Sequence, residues 1–109
     1  MRKNRRRYLL FQLHREGPSF QERMLNQALW KSLLSLYGEI HAADSRLYLV
    51  FYDCESGVGV LQCNLFALQE VITAAVMIGA IEGTSVSFEP KRTSGTIKGL
   101  RYPIPKRVS

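Results

Sequence analysis

The first half of the chain carries two hydrophobic periods. Apolar residues alternate with other residues from Arg7 to Leu13, which is the period of a β-strand. From Phe20 to Tyr37 they recur every three or four residues, which is the period of an amphipathic helix. Ser19-x-x-Glu22 has the form of a capping box at the start of this helix. Gly38 is predicted to end it, because glycine readily takes the left-handed conformation of a helix C-terminus.

The second half of the chain predicts two strands, a helix and a last strand. Alternating residues at Ser45–Asp53 and Val58–Cys63 predict a β-hairpin. The period becomes helical from about Asn64 to Ile81, and Gly83 is predicted to stop that helix. Residues Thr84–Glu89 alternate again and predict a fourth strand, which ends before a proline.

The order of these elements indicates the fold class. Strand, helix, strand, strand, helix, strand (βαββαβ) is the pattern of ferredoxin-like α+β folds, in which both helices cover one face of a four-stranded antiparallel sheet. We therefore expect a basic arm at residues 1–7, a ferredoxin-like domain at 8–90, and a basic loop and C-terminal tail at 91–109. RRM domains share this topology, but the third predicted strand lacks the aromatic residues of the RRM motif.

One face of the predicted sheet has no helix to cover it. Alternation places an unusually apolar set there: Tyr8, Leu10, Tyr48, Val50, Tyr52, Val58 and Val60. Three candidates remain for what covers this face: RNA bases stacked on the tyrosines, a protein partner, or the chain's own C-terminal tail.

Both predicted helices carry more apolar surface than one core requires. On the first helix, one stripe is predicted to face the sheet: Leu25, Leu29, Leu33 and Leu36. A second apolar patch consists of Trp30, Leu34 and Tyr37, which lie mostly more than about 60° around the helix axis from this stripe. The second helix is apolar nearly all round. A broad core explains either helix alone, but together they favour a protein interface at four residues: Trp30, Leu34, Tyr37 and Met77.

The chain has 109 residues and a formal net charge of +6, unevenly distributed. Residues 1–7 hold five bases and no acid, and residues 91–109 hold six bases and no acid. Residues 8–90 hold all nine acids against four bases. Cations clustered at both ends are typical of proteins that bind a polyanion, because each neutralised phosphate releases a condensed counterion. Solubility is the other interpretation, but two separate basic runs favour nucleic acid.

The segment 91–101 combines bases with small hydroxylated residues around a glycine. Backbone N–H groups and hydroxyls in such a loop can converge on a phosphate, although an ordinary loop that satisfies its own turns has the same composition. The first and last predicted strands are neighbours in this topology, and the arm precedes one of them while the segment 91–101 follows the other. We therefore expect residues 2–7 and 91–101 to form one basic patch. The predicted RNA contacts are Arg2, Lys3, Arg5, Arg6, Arg7, Lys91, Arg92, Ser94, Gly95, Thr96, Lys98 and Arg101.

The sequence shows no recognisable active site or metal site. His14 and His41 are predicted to be surface residues, Cys63 a core residue and Cys54 a residue near the hairpin turn. This cysteine usage indicates a reducing, intracellular compartment. The longest apolar run, Val71–Ile81, is too short to cross a bilayer. We expect a cytoplasmic protein with no membrane span, no catalytic residues and no cofactor of its own.

Four segments, taken in their order and spacing, resemble a known family. They are Arg6-Arg7-Tyr8-Leu9, Ala28-Leu29-Trp30-x-Ser32-Leu33-Leu34-Ser35-Leu36-Tyr37-Gly38-Glu39, the hairpin Tyr52–Cys63 ending in Leu61-Gln62-Cys63, and Ser94-Gly95-Thr96-Ile97-Lys98. These segments are similar to the archaeal and eukaryotic ribonuclease P protein component 2, the Pop-five subunit. The resemblance covers residues 6–101, and the absence of an acidic tail resembles the archaeal type.

The resemblance implies a non-catalytic protein subunit of ribonuclease P, the ribonucleoprotein that removes the 5′ leader from precursor tRNA. In that family the RNA carries the catalysis with Mg ions. The protein supports the catalytic RNA together with a TIM-barrel-like protein subunit, as a dimer of heterodimers. The implied partners are therefore the ribonuclease P RNA, precursor tRNA and that subunit.

Two other function classes remain as alternatives. A ferredoxin-like regulatory or small-ligand-binding module fits the predicted fold, but such a module does not need cations at both ends. A nuclease acting alone needs an acid/base pair, which the sequence does not show.

Overall fold

The structure, a computed structural model, describes residues 5–102. Its elements are β1 (Arg6–Glu16), α1 (Glu22–Ser45), β2 (Tyr48–Tyr52), β3 (Val58–Asn64), a 3-10 helix (Leu65–Ala67), α2 (Leu68–Val76), β4 (Ala80–Ile81), β5 (Thr84–Ser94) and a C-terminal 3-10 helix (Lys98–Leu100). The strands form one antiparallel sheet in the order β2-β3-β1-β5-β4. Both α-helices share a core with Leu9, Phe11 and Leu13 of β1. No helix among the described residues is long and apolar enough to span a membrane.

The sheet has five strands rather than the predicted four, so the ferredoxin-like fold is not confirmed, while the α+β class is confirmed. The additional strand comes from the end of the predicted second helix. Helix α2 stops at Val76, and Ala80–Ile81 pairs with β5 instead. Glu82 and Gly83 join the two strands with φ angles of 51° and 79°. Positive φ at both central residues is the geometry of a tight hairpin turn, so Gly83 turns a hairpin rather than stopping a helix.

Helix α1 is longer than predicted and begins differently. Gln21 is its N-cap, and no side chain caps the helix, so the predicted capping box at Ser19 is wrong. Gly38 interrupts the helical backbone with φ 87° and ψ 171°, but helical structure resumes and runs to Ser45. The predicted core residue Leu36 is exposed, because the whole stretch 34–40 lies outside the core.

A bulge in β2 reverses the side-chain alternation of that strand. The register of β2 and β3 shifts between Leu49 and Phe51. Tyr52 therefore faces the helices, and its ring stacks on Phe11 with centroids 6.4 Å apart. Phe51 packs on the opposite face. The prediction that Tyr52 lies on the open face is wrong, because one additional residue flips every later side chain of a strand.

Strand β5 also continues beyond its predicted end at Glu89. It passes through Pro90, where the register with β1 shifts, and reaches Ser94. Lys91 is the additional residue of this bulge. Bulges are sites where a strand accommodates proline, which has no N–H for the ladder. The first part of the predicted basic loop is consequently a strand.

The C-terminal 3-10 helix covers part of the second face of the sheet, the face opposite the α-helices. Leu100 is fully buried there, at 0% exposure. It clusters with three residues of the sheet: Tyr8, Phe51 and Val60. Ile97 and Tyr102 pack at the margin of this cluster, while Tyr48 stays exposed. Of the three predicted covers, the chain's own C-terminal residues thus occupy part of this face.

Candidate nucleic-acid interface

Antiparallel pairing brings the two basic segments together. The start of β1 lies beside the end of β5, with Tyr8 opposite Ser94. A guanidinium nitrogen of Arg7 lies 3.4 Å from the position that a Cβ on Gly95 would take. Arg5 and Arg6 are exposed next to it. The pairing therefore brings cations that are nearly ninety positions apart in the chain to one end of the β1–β5 pair. We call this region the basic end: Arg5, Arg6, Arg7, Arg92, Lys98 and Arg101.

The arm is anchored where it enters the sheet. The backbone N–H of Leu65, at the start of the first 3-10 helix, donates to the carbonyl oxygen of Arg5 at 2.6 Å. A guanidinium nitrogen of Arg7 donates to the carbonyl of Arg6 at 2.7 Å. These bonds hold the described arginines of the arm in position relative to the sheet. Arg2 and Lys3 lie outside the described residues.

The hydroxyl groups near Gly95 serve the turn itself. The N–H of Thr96 donates to Ser94 Oγ at 3.2 Å, and the N–H of Gly99 donates to Thr96 Oγ1 at 3.0 Å. These two N–H groups are occupied and do not form the predicted phosphate cradle. Both hydroxyls keep their own O–H to donate, so their role in RNA contact stays a prediction.

Two further predicted contacts, Arg92 and Lys91, also have partners within the protein. A guanidinium nitrogen of Arg92 donates to the carbonyl of Leu100 at 3.1 Å, which holds the C-terminal 3-10 helix against β5. Lys91 Nζ lies 3.1 Å from a carboxylate oxygen of Glu89. The other oxygen of Glu89 lies 2.7 Å from His14 Nε2. These hydrogen bonds, first from His14 and then from Lys91, lower the pKa of Glu89 below its ordinary value.

The predicted protein-interface residues differ in how far they are exposed. Trp30 is partly buried and packs against the main core, so its ring is shared between core and surface. Leu34, Tyr37 and Met77 are exposed, and Met77 is the most open of the three at 65%. Ile40 is exposed at 81%, and the sequence did not point to it because the helix was predicted to end at Gly38.

The remaining chemistry-bearing residues are the two cysteines and His41. Burial raises the pKa of the Cys63 thiol to about 11, which fits its predicted place in the core. Both cysteines are free. His41 lies against the rings of Tyr37 and Phe66, at centroid distances of 5.3 and 5.9 Å. No group of three His, Cys, Asp or Glu side chains in this part of the chain could hold a metal ion.

Comparison with known proteins assigns the chain to a family. Residues 7–103 match the model of the Rpp14/Pop5 family. The protein named Ribonuclease P protein component 2 in Archaeoglobus fulgidus is 36% identical, and the alignment covers 88% of this chain and 84% of that protein. The protein of the same name in Aeropyrum pernix is 33% identical, with 90% and 80% covered. In Thermococcus kodakarensis the identity is 29%, with 91% and 82% covered.

The fold also has a counterpart among solved structures. A chain in the cryo-EM structure of yeast ribonuclease MRP superposes with a TM-score of 0.71 at 11% identity, covering 97% of this chain and 83% of that chain. That likeness concerns the fold, whereas the family model and the archaeal relatives concern the sequence. Because the family model spans nearly the whole chain and two relatives exceed 30% identity over most of their length, the chain belongs to the Rpp14/Pop5 family.

Proposed function

We propose that this protein is a non-catalytic subunit of ribonuclease P, which binds and supports the catalytic RNA during removal of the 5′ leader from precursor tRNA. The observation that carries the proposal is the family match over residues 7–103, with relatives that are named Ribonuclease P protein component 2. The basic end supplies the matching chemistry, since exposed arginines and lysines at one end of the sheet can neutralise neighbouring phosphates.

Catalysis in this proposal belongs to the RNA, with Mg ions held there. RNA cleavage needs groups that transfer a proton or hold a metal-bound water. The side chains of the basic end offer fixed positive charge instead, because arginine does not lose its proton near neutral pH. The protein consequently positions phosphates, and contacts of that kind carry affinity rather than sequence information.

The proposed protein contacts come from α1 and from Met77, which follows α2. As a subunit of the ribonuclease P and MRP type, the chain is expected to contact RNA and other protein subunits. We propose that Leu34, Tyr37 and Met77, with Trp30 as a half-buried anchor, contact a TIM-barrel-like protein subunit, and that the pair associates as a dimer of heterodimers in the cytoplasm. Their exposure on α1 and beyond the end of α2 supports this assignment.

The test is recovery of the tagged full-length protein from its native cells, followed by sequencing of the bound RNA. We expect strong enrichment of the ribonuclease P RNA over other structured RNAs. The matched control is Met77→Ser, which leaves the basic end intact. The purified variant should bind purified ribonuclease P RNA as tightly as the original protein does. A mixture without enrichment of one structured RNA contradicts the proposal.

A second measurement concerns catalysis. The purified protein is incubated with precursor tRNA and Mg²⁺, alone and together with ribonuclease P RNA and the other protein subunits. We expect cleavage only in the presence of the RNA. Cleavage by the protein alone that is lost on His41→Ala substitution contradicts the non-catalytic role.

A further inference from the structure

A small cavity lies on the second face of the sheet, beside the basic end. Its volume is about 280 Å³, and its walls come from Leu10, Phe11, Gln12, Val58, Lys91, Arg92 and Tyr102. Leu10, Gln12, Val58 and Tyr102 are not among the predicted RNA contacts. Ligand pockets in proteins are about 300–1,000 Å³, so this cavity is of a size for one small ring system.

The β5 bulge explains why two adjacent cations line the same cavity. Neighbouring residues of a regular strand point to opposite faces. Here the register shifts between Leu10 and Phe11, so that Leu10 pairs with Arg92 and Phe11 pairs with Pro90. Lys91 is inserted between these two pairs and lines the cavity together with Arg92. Bulges re-aim side chains in this way.

The walls combine apolar surface, an aromatic ring and one oriented amide. Leu10 and Val58 provide aliphatic surface, and Tyr102 lines the cavity while its ring stacks on Phe51 with centroids 6.4 Å apart. The amide nitrogen of Gln12 donates to the carbonyl of Ser56 at 2.6 Å. That bond fixes which end of the amide is nitrogen, and leaves its oxygen as an acceptor for an N–H group.

We propose that this cavity binds one unpaired RNA nucleotide, with the base against Leu10, Val58 and Tyr102 and the adjacent phosphates on the cations of the basic end. The inference rests on the proposed function and specifies a contact within it. Unpaired bases are the parts of RNA that stack on aromatic side chains and offer hydrogen-bonding edges, whereas a duplex keeps its bases inside.

The charge around the cavity suits a nucleotide. Glu89 pairs with Lys91 of the cavity wall and with His14. Arg92 donates to the Leu100 carbonyl and also lines the cavity. Arg7 lies next to Gly95 at the same end of β5. Cations thus flank an apolar hollow, which is the combination found in sites for single-stranded nucleic acid.

The experiment fills the cavity with a larger side chain. The variant Val58→Phe is compared with Val50→Phe, a matched substitution at a partly buried valine that packs with the same second-face cluster but does not line the cavity. Binding of the full-length proteins to short single-stranded RNAs of one base each, and to a fully paired RNA duplex, is measured by fluorescence anisotropy.

For single strands, we expect Val58→Phe to weaken binding by on the order of tenfold, the loss typical of one removed stacking contact. Val50→Phe should stay within about twofold, and binding of the duplex should be unchanged for both. Gln12→Leu is the second variant, because it removes the oriented amide without adding volume. Circular dichroism establishes that each variant is folded.

Equal affinity of Val58→Phe and the original protein for every single strand overturns the inference, as does an equal loss in Val50→Phe. A protein occupant, including the chain's own C-terminal residues, also predicts that RNA affinity does not change, and so overturns it. The proposed function fails separately, when the original protein does not enrich ribonuclease P RNA. If the original protein does enrich ribonuclease P RNA, ultraviolet light should cross-link that RNA to the peptide that contains Tyr102. This cross-link must be lost in Val58→Phe.

Discussion

The two faces of the sheet are closed by different means. On the helix side, α1 and α2 bury a continuous core in which Phe11 is fully buried and stacks on Phe88 with centroids 4.7 Å apart. On the second face, one short 3-10 helix inserts Leu100 into a cluster of a few residues. The helix side therefore supplies most of the buried apolar area, and burial of apolar area is the main source of stability.

This difference separates stability from binding. The second face needs only a small cover, so its remaining surface is free to carry cations, an oriented amide and a cavity. Gly59 belongs to the tightly packed helix side, because a Cβ at this position would collide with the ring of Phe11 and lie 2.8 Å from the Phe51 carbonyl. Changes on the two sides should accordingly have effects of different size and kind.

The largest effect is expected from Phe11→Ala. Removing this ring leaves a cavity between Phe88 and Tyr52, which the surrounding core cannot fill. The free energy of unfolding should fall by about 3–5 kcal/mol. That is a large fraction of the total, because a typical domain has a free energy of unfolding of about 5–15 kcal/mol. Urea denaturation followed by circular dichroism measures it. A loss below about 1 kcal/mol would show that the helix side is not the main core.

A smaller effect is expected from Leu100→Ala on the second face. The free energy of unfolding should fall by about 2 kcal/mol, the lower end for a buried leucine, because the C-terminal 3-10 helix can detach while the sheet stays folded. Leu29→Ala in the helix-side core is the matched control and should cost more. An equal or larger loss in Leu100→Ala would mean that both faces contribute equally to the fold.

The third effect concerns affinity for RNA and should leave stability nearly unchanged. Neutralising Arg5, Arg6 and Arg7 to Gln should flatten the dependence of log affinity on log salt by about 2–3 units, since each phosphate contact contributes about 0.7–0.9. The control neutralises three exposed bases elsewhere, Arg23, Lys31 and Arg46, with the same change of net charge. A slope that both triple variants change equally would reduce the arm to a solubilising segment.

The smallest effect is expected from Glu89→Gln, at the exposed margin of the second face. The pKa of Glu89 is lowered by its hydrogen bonds with His14 and Lys91. This pairing therefore stabilises the fold at pH values above the ordinary pKa of a carboxyl group. That contribution is lost as the pH falls through the folded-state pKa. The original protein should therefore unfold at a slightly higher temperature than Glu89→Gln near neutral pH, and the difference should vanish in acid. A difference that stays constant with pH would show that the pair does not stabilise the fold.

The periodicity of the sequence determined the kinds of element and much of the core. Leu9, Phe11 and Leu13 and the stripe Leu25, Leu29 and Leu33 are buried as alternation and helical spacing predicted. These patterns are local, because the period of a strand or a helix depends only on neighbouring residues. The family resemblance was equally accessible, since it rests on the order of short segments, and the family match confirms it.

Tertiary structure alone decided the features that depend on partners distant in the chain. The two bulges, one of which turned Tyr52 into the core, arise from register between strands, and a period of two does not reveal register. The conversion of Ala80–Ile81 from predicted helix to strand depends on pairing with β5. Sequence could place positive charge at both ends of the chain. The predicted strand order also put the two basic segments at one end of the sheet, but the register of β1 and β5 decided that Arg7 lies beside Gly95. A period of two does not reveal that register, because it joins residues nearly ninety positions apart.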